Sequence, residues 1–371
     1  QAFRFNAAVL GDFTVSAGAA KDGVWTLPAK AKLPAVATAR IPVAAQPWRP
    51  VASEFSHHGR VQPVVIEASA AQLPAGYAVE DYSSPRDNYG RELLFEALGV
   101  ALAPDGTLVV ASRTAGIWRI VDGEWRLFAE GLFDSLGVVV EDETGWVVVA
   151  GHKAGVSRIS DTNGDGVADR YEVLTDAFSY HGNYHSYLHG PVRDPATGDY
   201  FITINLPHND DGGFFNAGGK YMGTAGGYRG WAARVPAAGG FEPWADGLRS
   251  PAGLAFAPDG RLWYADNQGE YVGTSKIFVL ERGRFYGHPA GLVDRPGMTP
   301  DSPEIAWDAV KATKARAVVL LPQGKLANSP GNMAWDTTRG RFGPFGGQMF
   351  IGDQTQSVLM RVATETVGGV E

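Results

Sequence analysis

Cysteine is absent from the 371 residues. Disulfides, thiol nucleophiles and CxxCH haem attachment are therefore excluded within the chain, whereas either an oxidising or a reducing compartment is compatible with it. No block of basic residues occurs and the formal net charge is −8, which argues against a nucleic-acid partner. No apolar run is long enough to span a bilayer as a helix. No segment sustains a helical period, so helices do not organise the fold. What is abundant is punctuation: 48 Gly and 23 Pro, as expected of many short strands joined by turns. Length alone suggests two or three domains, but one large all-β unit with an appendage also fits. The chain begins at Gln1 with neither Met nor a signal sequence, which points to a processed product and to a periplasmic or secreted location.

A strand-turn-strand unit recurs. Its clearest copy runs from Gly253 through the turn Pro258-Asp259-Gly260 into Arg261-Leu-Trp-Tyr-Ala, followed at once by Asp266, Asn267, Gln268 and Gly269. Others start at Gly99, at Gly137, at Gly190 in degenerate form, and at Gly331. These leading glycines are 38, 53, 63 and 78 residues apart. The first spacing suits a four-stranded blade and the later ones require inserted loops, so the pattern predicts a β-propeller. Arg249 and Gln268 flank one hairpin on the same side, so its strands can hold both at one end of the sheet. Residues 1–75 are rich in Ala and Pro and read as an N-terminal appendage or small β module, with the propeller over 76–371. His57 and His58 fall in the appendage, as a metal or partner contact or as solvated loop histidines.

A second signal lies at 161–172. Asp161, Asn163, Asp165, Asp169 and Glu172 stand at positions 1, 3, 5, 9 and 12 of a twelve-residue loop, with Gly166 at position 6 and the carbonyl of Val167 at position 7. That is the ligand order of an EF-hand calcium loop, here expected between strands and in a stabilising role; the alternative is an Asx-rich turn satisfied by its own backbone. A third signal is the trio His181, His185 and His189. On a helix they would form a zinc-like array, but Gly182 and Gly190 favour loop and strand, where a single working histidine is the simpler reading. Imidazole titrates near neutrality and can take a hydroxyl proton. A loop histidine bonded to backbone is the bland alternative.

The stretch GLRSPAGLAFAPDGRLWYADNQG…GRFYGHPAG, with HGNYHSYLHGPVRD, DTNGDGVADRYE and NSPGNMAWDTTRGRFGPFGGQMFIGDQ, resembles the sorbosone/glucose dehydrogenase-like propellers. These are relatives of soluble quinoprotein glucose dehydrogenase and in bacteria are often fused to haem-binding domains. The resemblance covers about residues 75–371. It implies a six-bladed propeller, five blades being evident in this chain, with an axial pocket for pyrroloquinoline quinone (PQQ) and calcium. It further implies a sugar substrate and a separate electron acceptor such as a cytochrome. Carried over position by position, it makes His185 the general base and Arg249 and Gln268 cofactor contacts, with Gly269 where relatives offer a backbone oxygen to calcium. Arg249 would also stabilise a developing oxyanion. Its alternative is a salt bridge to Asp246 or Asp266.

One stretch departs from the pattern. Where PQQ-using relatives present a basic residue, Ile351-Gly-Asp353-Gln354-Thr-Gln356 offers none, and a tricarboxylated quinone needs basic partners. The chain also stops at Glu371, soon after the fifth repeat, so that either a sixth blade is missing or the N-terminal segment supplies its strands. Two other functions stay open. His181, His185, His189, His208 and His288 with Tyr180 and Tyr184 suit a metal-assisted carbohydrate lyase or dehydratase. The aromatic insertion carrying Phe214, Phe215, Tyr221, Tyr228 and Trp231 suits a non-catalytic carbohydrate-binding or scaffold propeller, or simply anchors a loop.

Overall fold

The computed structural model describes residues 20–21, 24–25, 61–69, 74–87, 90–180, 182, 184–208, 222–224, 226–299, 301–368 and 371. Two compact units are present, Gln1–His57 and His58–Glu371. In the first, β1 (Ala20–Lys21) pairs antiparallel with β2 (Val24–Trp25). His57, His58, His181, Phe214, Phe215 and Tyr221 lie outside the described residues.

The second unit is all-β and carries five propeller blades among its described residues. Blade 1 is β6 (Ala97–Leu102), β7 (Leu108–Ser112), β8 (Ile117–Val121) and β9 (Glu124–Ala129), extended at its edge by β3 (Val61–Pro63). Blade 2 is β10 (Gly137–Val140), β11 (Val147–His152), β12 (Gly155–Ser160) and β13 (Arg170–Thr175). Blade 3 is β14 (Leu188–Arg193), β15 (Tyr200–Ile204), β16 (Trp231–Val235) and β17 (Glu242–Asp246). Blade 4 is β18 (Pro251–Phe256), β19 (Leu262–Asp266), β20 (Ser275–Val279) and β21 (Val319–Leu321), with the short helix α1 (Trp307–Thr313) in its last insertion. Blade 5 is β22 (Pro330–Trp335), β23 (Met349–Asp353) and β24 (Val358–Val362). Every repeat read from the sequence is the first hairpin of a blade.

Alternation along the strands builds the radial packing. Val148 and Ala150 of β11 join Val109, Ile117 and Phe128 of blade 1 in one core, while Val149 between them joins Leu188, Tyr200 and Ile202 of blade 3 in another. Phe201 faces blade 4 with Leu254 and Tyr264; Trp263 and Ala265 face blade 5 with Met333 and Ile351. Because successive side chains point to opposite faces and both faces of a blade are covered, the second strands read as continuous apolar runs.

The leading glycines have a specific cause. A Cβ on Gly99 would stand 2.8 Å from Gly137 Cα, one on Gly137 would overlap the Gly190 carbonyl, and one on Gly253 would overlap the Gly331 carbonyl. Each glycine lets the first strand of its blade press against the first strand of the next, and an Ala there would cost about 1–3 kcal/mol or more in overpacking.

A hairpin of β4 (Ile66–Ala68) and β5 (Glu80–Tyr82) completes the described strands. Tyr77 in its loop donates to the Phe342 carbonyl of blade 5 at 2.7 Å, and Ser83 beyond it accepts from Trp125 Nε1 of blade 1 at 2.7 Å. Residues 77–83 thus reach both the first and the last blade.

Candidate active site

One end of the propeller carries a polar rim. The residue directly after the second strand is polar in all five blades: Arg113, Lys153, Asn205, Asn267 and Gln354. A strand end that points into a shared space away from the apolar core selects such residues. Residues just before the first strands meet them there. Arg113 Nε and Lys153 Nζ both bond the Asp134 carboxylate, at 3.2 and 2.7 Å, and Asn205 Nδ2 donates to Ser250 Oγ at 3.2 Å. Asp134 and Lys153 are nearly fully buried, where each charge requires the other. Arg113 also lies 3.7 Å from Glu96, so two cations meet two carboxylates.

His185 sits in the turn before β14, exposed at its surface. Its ring lies 5.2 Å from Tyr184, 5.5 Å from His208 and 6.5 Å from Tyr187. Partial burial, then the charges of His208, Arg249 and Lys153, push its pKa below the ordinary value. The imidazole is therefore neutral at pH 7 and able to accept a proton. The turn is bolted from below by Arg229. This fully buried guanidinium donates to the backbone carbonyls of Ser179 and Tyr187, the latter at 3.3 Å. Burial lowers its pKa to about 10.

His189 is a different kind of group. It lies in β14 and burial lowers its pKa to about 4. Among the described residues no group of three or more His, Asp or Glu is arranged to hold a metal.

Arg249 and Gly269 are brought together. The Arg249 side chain lies flat on Gly269, whose missing Cβ would overlap Arg249 Cδ and Nε. The guanidinium is engaged by Glu270, Nε to Oε2 at 2.6 Å and Nη2 to Oε1 at 3.4 Å. Asp266 instead accepts the backbone N–H groups of Arg249 and Ser250 at 3.0 and 2.8 Å, and Asp246 pairs with Arg295. Neither carboxylate expected from the sequence is thus the ion-pair partner of Arg249. Burial alone would raise the Glu270 pKa, but hydrogen bonds from His288 and Arg249 outweigh it and hold the carboxyl well below its usual range. Gln268 donates its backbone N–H to Ser275 Oγ at 3.2 Å. The space enclosed by Arg249, Gly269, Lys276 and His288 is about 10 Å³, room for one water. A larger concavity of about 330 Å³, beside Leu93, Trp118 and Glu130, lies on blade 1 away from these groups.

The loop 161–172 joins β12 to β13. Asp161 accepts from the N–H groups of Asn163, Gly164 and Gly166 at 3.1, 2.7 and 2.8 Å; Asn163 Oδ1 accepts from Asp165 N at 2.8 Å, and Asp165 Oδ1 from Val167 N at 2.9 Å. Asp169 bonds Thr162, and Glu172 lies beside Arg158 and Arg170 at 3.8 and 3.4 Å. Of the aromatic insertion, Trp231 is buried and donates Nε1 to the Gly291 carbonyl at 2.7 Å, and Tyr228 packs on it. Both anchor the fold.

Sequence reasoning missed Asp134, Lys153, Arg229 and Glu270. The repeat itself held a signal for two of them: Lys153 stands where Asn267 stands, and Asp134, three residues before its leading glycine, stands where Ser250 stands.

No protein-family model matches the chain, and no curated protein matches it. Solved structures do. An oxidoreductase described as a glucose dehydrogenase from Thermus thermophilus is 19% identical over 74% of this chain and 81% of that one, with a TM-score of 0.53. The PQQ-bound aldose sugar dehydrogenase of Streptomyces coelicolor is 15% identical, covering 75% and 79%, at 0.51. The calcium structure of a family AA12 carbohydrate-active enzyme from Trichoderma reesei is 13% identical, covering 75% and 80%, at 0.51. The likeness establishes the propeller fold that these proteins share.

The side chains set a test for the quinone. A tricarboxylate needs unengaged basic groups, yet Arg249 is taken up by Glu270, and Arg113 and Lys153 by Asp134. In the last blade Asp353 accepts the N–H groups of Asn328, Ser329 and Gln356. As arranged, these residues do not fit PQQ. The 161–172 loop as arranged is the Asx-rich turn: its carboxylates are satisfied by the loop's own N–H groups, by Thr162 and by Arg158 and Arg170, and they are not gathered around one point as metal ligands.

Proposed function

We propose that this propeller is a sugar dehydrogenase homologue of the quinoprotein kind, acting in the periplasm or outside the cell. The observation that carries the reading is His185, exposed in the turn before β14 with the rings of Tyr184, Tyr187 and His208 around its imidazole. In it, His185 takes the proton of a sugar hydroxyl, and Arg249 could stabilise the developing oxyanion only once released from Glu270. Arg229 holds the turn that presents the imidazole. Oxidation also needs a two-electron acceptor; PQQ, if bound, would supply that chemistry, with a separate protein such as a cytochrome as the onward acceptor, but the basic groups that would hold it are engaged by carboxylates here. Arg249 can serve that cofactor only after giving up Glu270. Asp161, Asn163, Asp165, the Val167 carbonyl, Asp169 and Glu172 would hold a stabilising calcium only after the loop rearranges, Glu172 leaving Arg158 and Arg170 to do so.

The engagement of Arg249 by Glu270 favours a second reading, a propeller that binds or cleaves carbohydrate without a quinone. Incubation with PQQ and calcium, then with aldoses and an artificial dye, separates the two. Dye reduction supports the dehydrogenase. An unsaturated sugar product formed without any acceptor supports a lyase. Retained sugar binding with neither reaction leaves a non-catalytic module.

A further inference from the structure

Three large aromatic side chains stand exposed around the candidate site: Phe133 at 47%, Tyr180 at 49% and Tyr184 at 60%. They come from two blades and belong to one cluster. Phe133 and Tyr180 meet edge to face at 5.8 Å, and Tyr184 meets Tyr187 at 5.4 Å and His185 at 5.2 Å. Lys153 joins the halves, its Nζ 5.2 Å from the Phe133 ring and 5.0 Å from that of Tyr187; Arg113 lies under Tyr184 at 4.8 Å.

What sets these rings apart from the other exposed apolar side chains is that they are contiguous, and a contiguous patch marks a binding surface. Two features select its ligand. The cations beneath the rings are matched by Asp134 and Glu96, so the surface offers apolar faces over a charge-balanced base, which suits a neutral ligand with C–H faces and a hydroxylated edge. The cluster is also continuous with His185 through Tyr184, and Phe133 and Tyr180 are linked to it through Lys153 and Tyr187. We infer that Phe133, Tyr180 and Tyr184 form a stacking platform for a neutral oligosaccharide, whose terminal unit lies at His185 and whose next unit rests on Phe133 and Tyr180. The inference rests on the sugar reading of the His185 site and adds chain length as a determinant of its substrate.

The test uses the whole chain and a panel of gluco-, manno- and xylo-oligosaccharides of two to six units with their monosaccharides, read by isothermal titration. At least one series binds about tenfold more tightly than its monosaccharide, and Phe133→Ala and Tyr180→Ala each lose most of that gain while monosaccharide binding stays. Phe133→Trp restores it, which separates stacking from a folding defect. His185→Ala leaves the length preference intact, so loss of turnover and loss of the platform are read independently. Equal affinity for all lengths, platform variants that bind like the parent, or no glycan binding at all would overturn the platform even if sugar oxidation were found.

Discussion

Replacing Glu270 by Gln is the perturbation that separates a latched arginine from a cofactor contact. Glu270 accepts both Nε and Nη2 of Arg249 and the N–H of Met222 at 3.1 Å, and it stands 3.5 Å from His288 Nε2, with both members of the ion pair over four-fifths buried. Removing one charge from such a pair costs about 3 kcal/mol when nothing replaces it. The amide oxygen still accepts one guanidinium bond and the Met222 N–H, so the net loss in Glu270→Gln is about 2 kcal/mol. The same change releases a guanidinium that already lies against Gly269. A charge-assisted bond to a quinone carboxylate is worth about 1.5–3 kcal/mol, so PQQ should bind about 10- to 100-fold more tightly than to the parent. Thermal unfolding measures the first effect, and quenching of tryptophan fluorescence by added PQQ the second. Destabilisation with unchanged or weaker PQQ binding would show that Arg249 is a structural clamp and that the cofactor assignment of Arg249, Gln268 and Gly269 is wrong.

Three further outcomes follow from the same geometry. Arg229→Met relieves a desolvation worth about 3 kcal/mol, from a pKa lowered to about 10, but strands the carbonyls of Ser179 and Tyr187 at about 1–3 kcal/mol each. The two nearly cancel, so global stability moves by less than about 2 kcal/mol whereas amide exchange over 179–187 accelerates; a large fall in stability with no local change would contradict this. The half-buried His189, its folded pKa about 4 against an ordinary 6.5, binds fewer protons than in the unfolded chain between these values. Its contribution is present above pH 6.5 and is lost as pH falls toward 4, by about 3 kcal/mol. Urea midpoints measured across that window should fall in the parent and fall less in His189→Leu. Calcium should raise the melting temperature by several degrees, an effect on the order of 1–3 kcal/mol at saturation, and Asp161→Ala should abolish the response; a parent insensitive to both calcium and chelator would dismiss the loop as an ion site.

The repeats made the fold legible, because the turn after each leading glycine and the apolar strand beyond it are local signals. The reason for the glycine was not visible: Gly99, Gly137 and Gly253 admit the neighbouring blade, a contact between residues 38 to 78 positions apart. Of the residues the sequence singled out, the motif around Arg249 anticipates a contact, Arg249 against Gly269, and the histidine cluster an exposed His185 in a turn. Asp134, Lys153 and Arg229 escaped because each is polar by virtue of its place at a blade end, and a lone charge in a loop reads as solvated until its partner is known. Glu270 escaped although it follows Gly269 directly, since the expected partners of Arg249 were the aspartates 246 and 266, which the structure commits to Arg295 and to backbone N–H groups.

The role of His185 is tested by comparing the parent and His185→Ala after loading with PQQ and calcium, following dye reduction with an aldose at pH 7 while PQQ binding is measured in parallel. Loss of about 100-fold or more in kcat with the cofactor still bound is the outcome a neutral base requires. Equal turnover in the two proteins, or a loaded parent that oxidises no sugar, would contradict it.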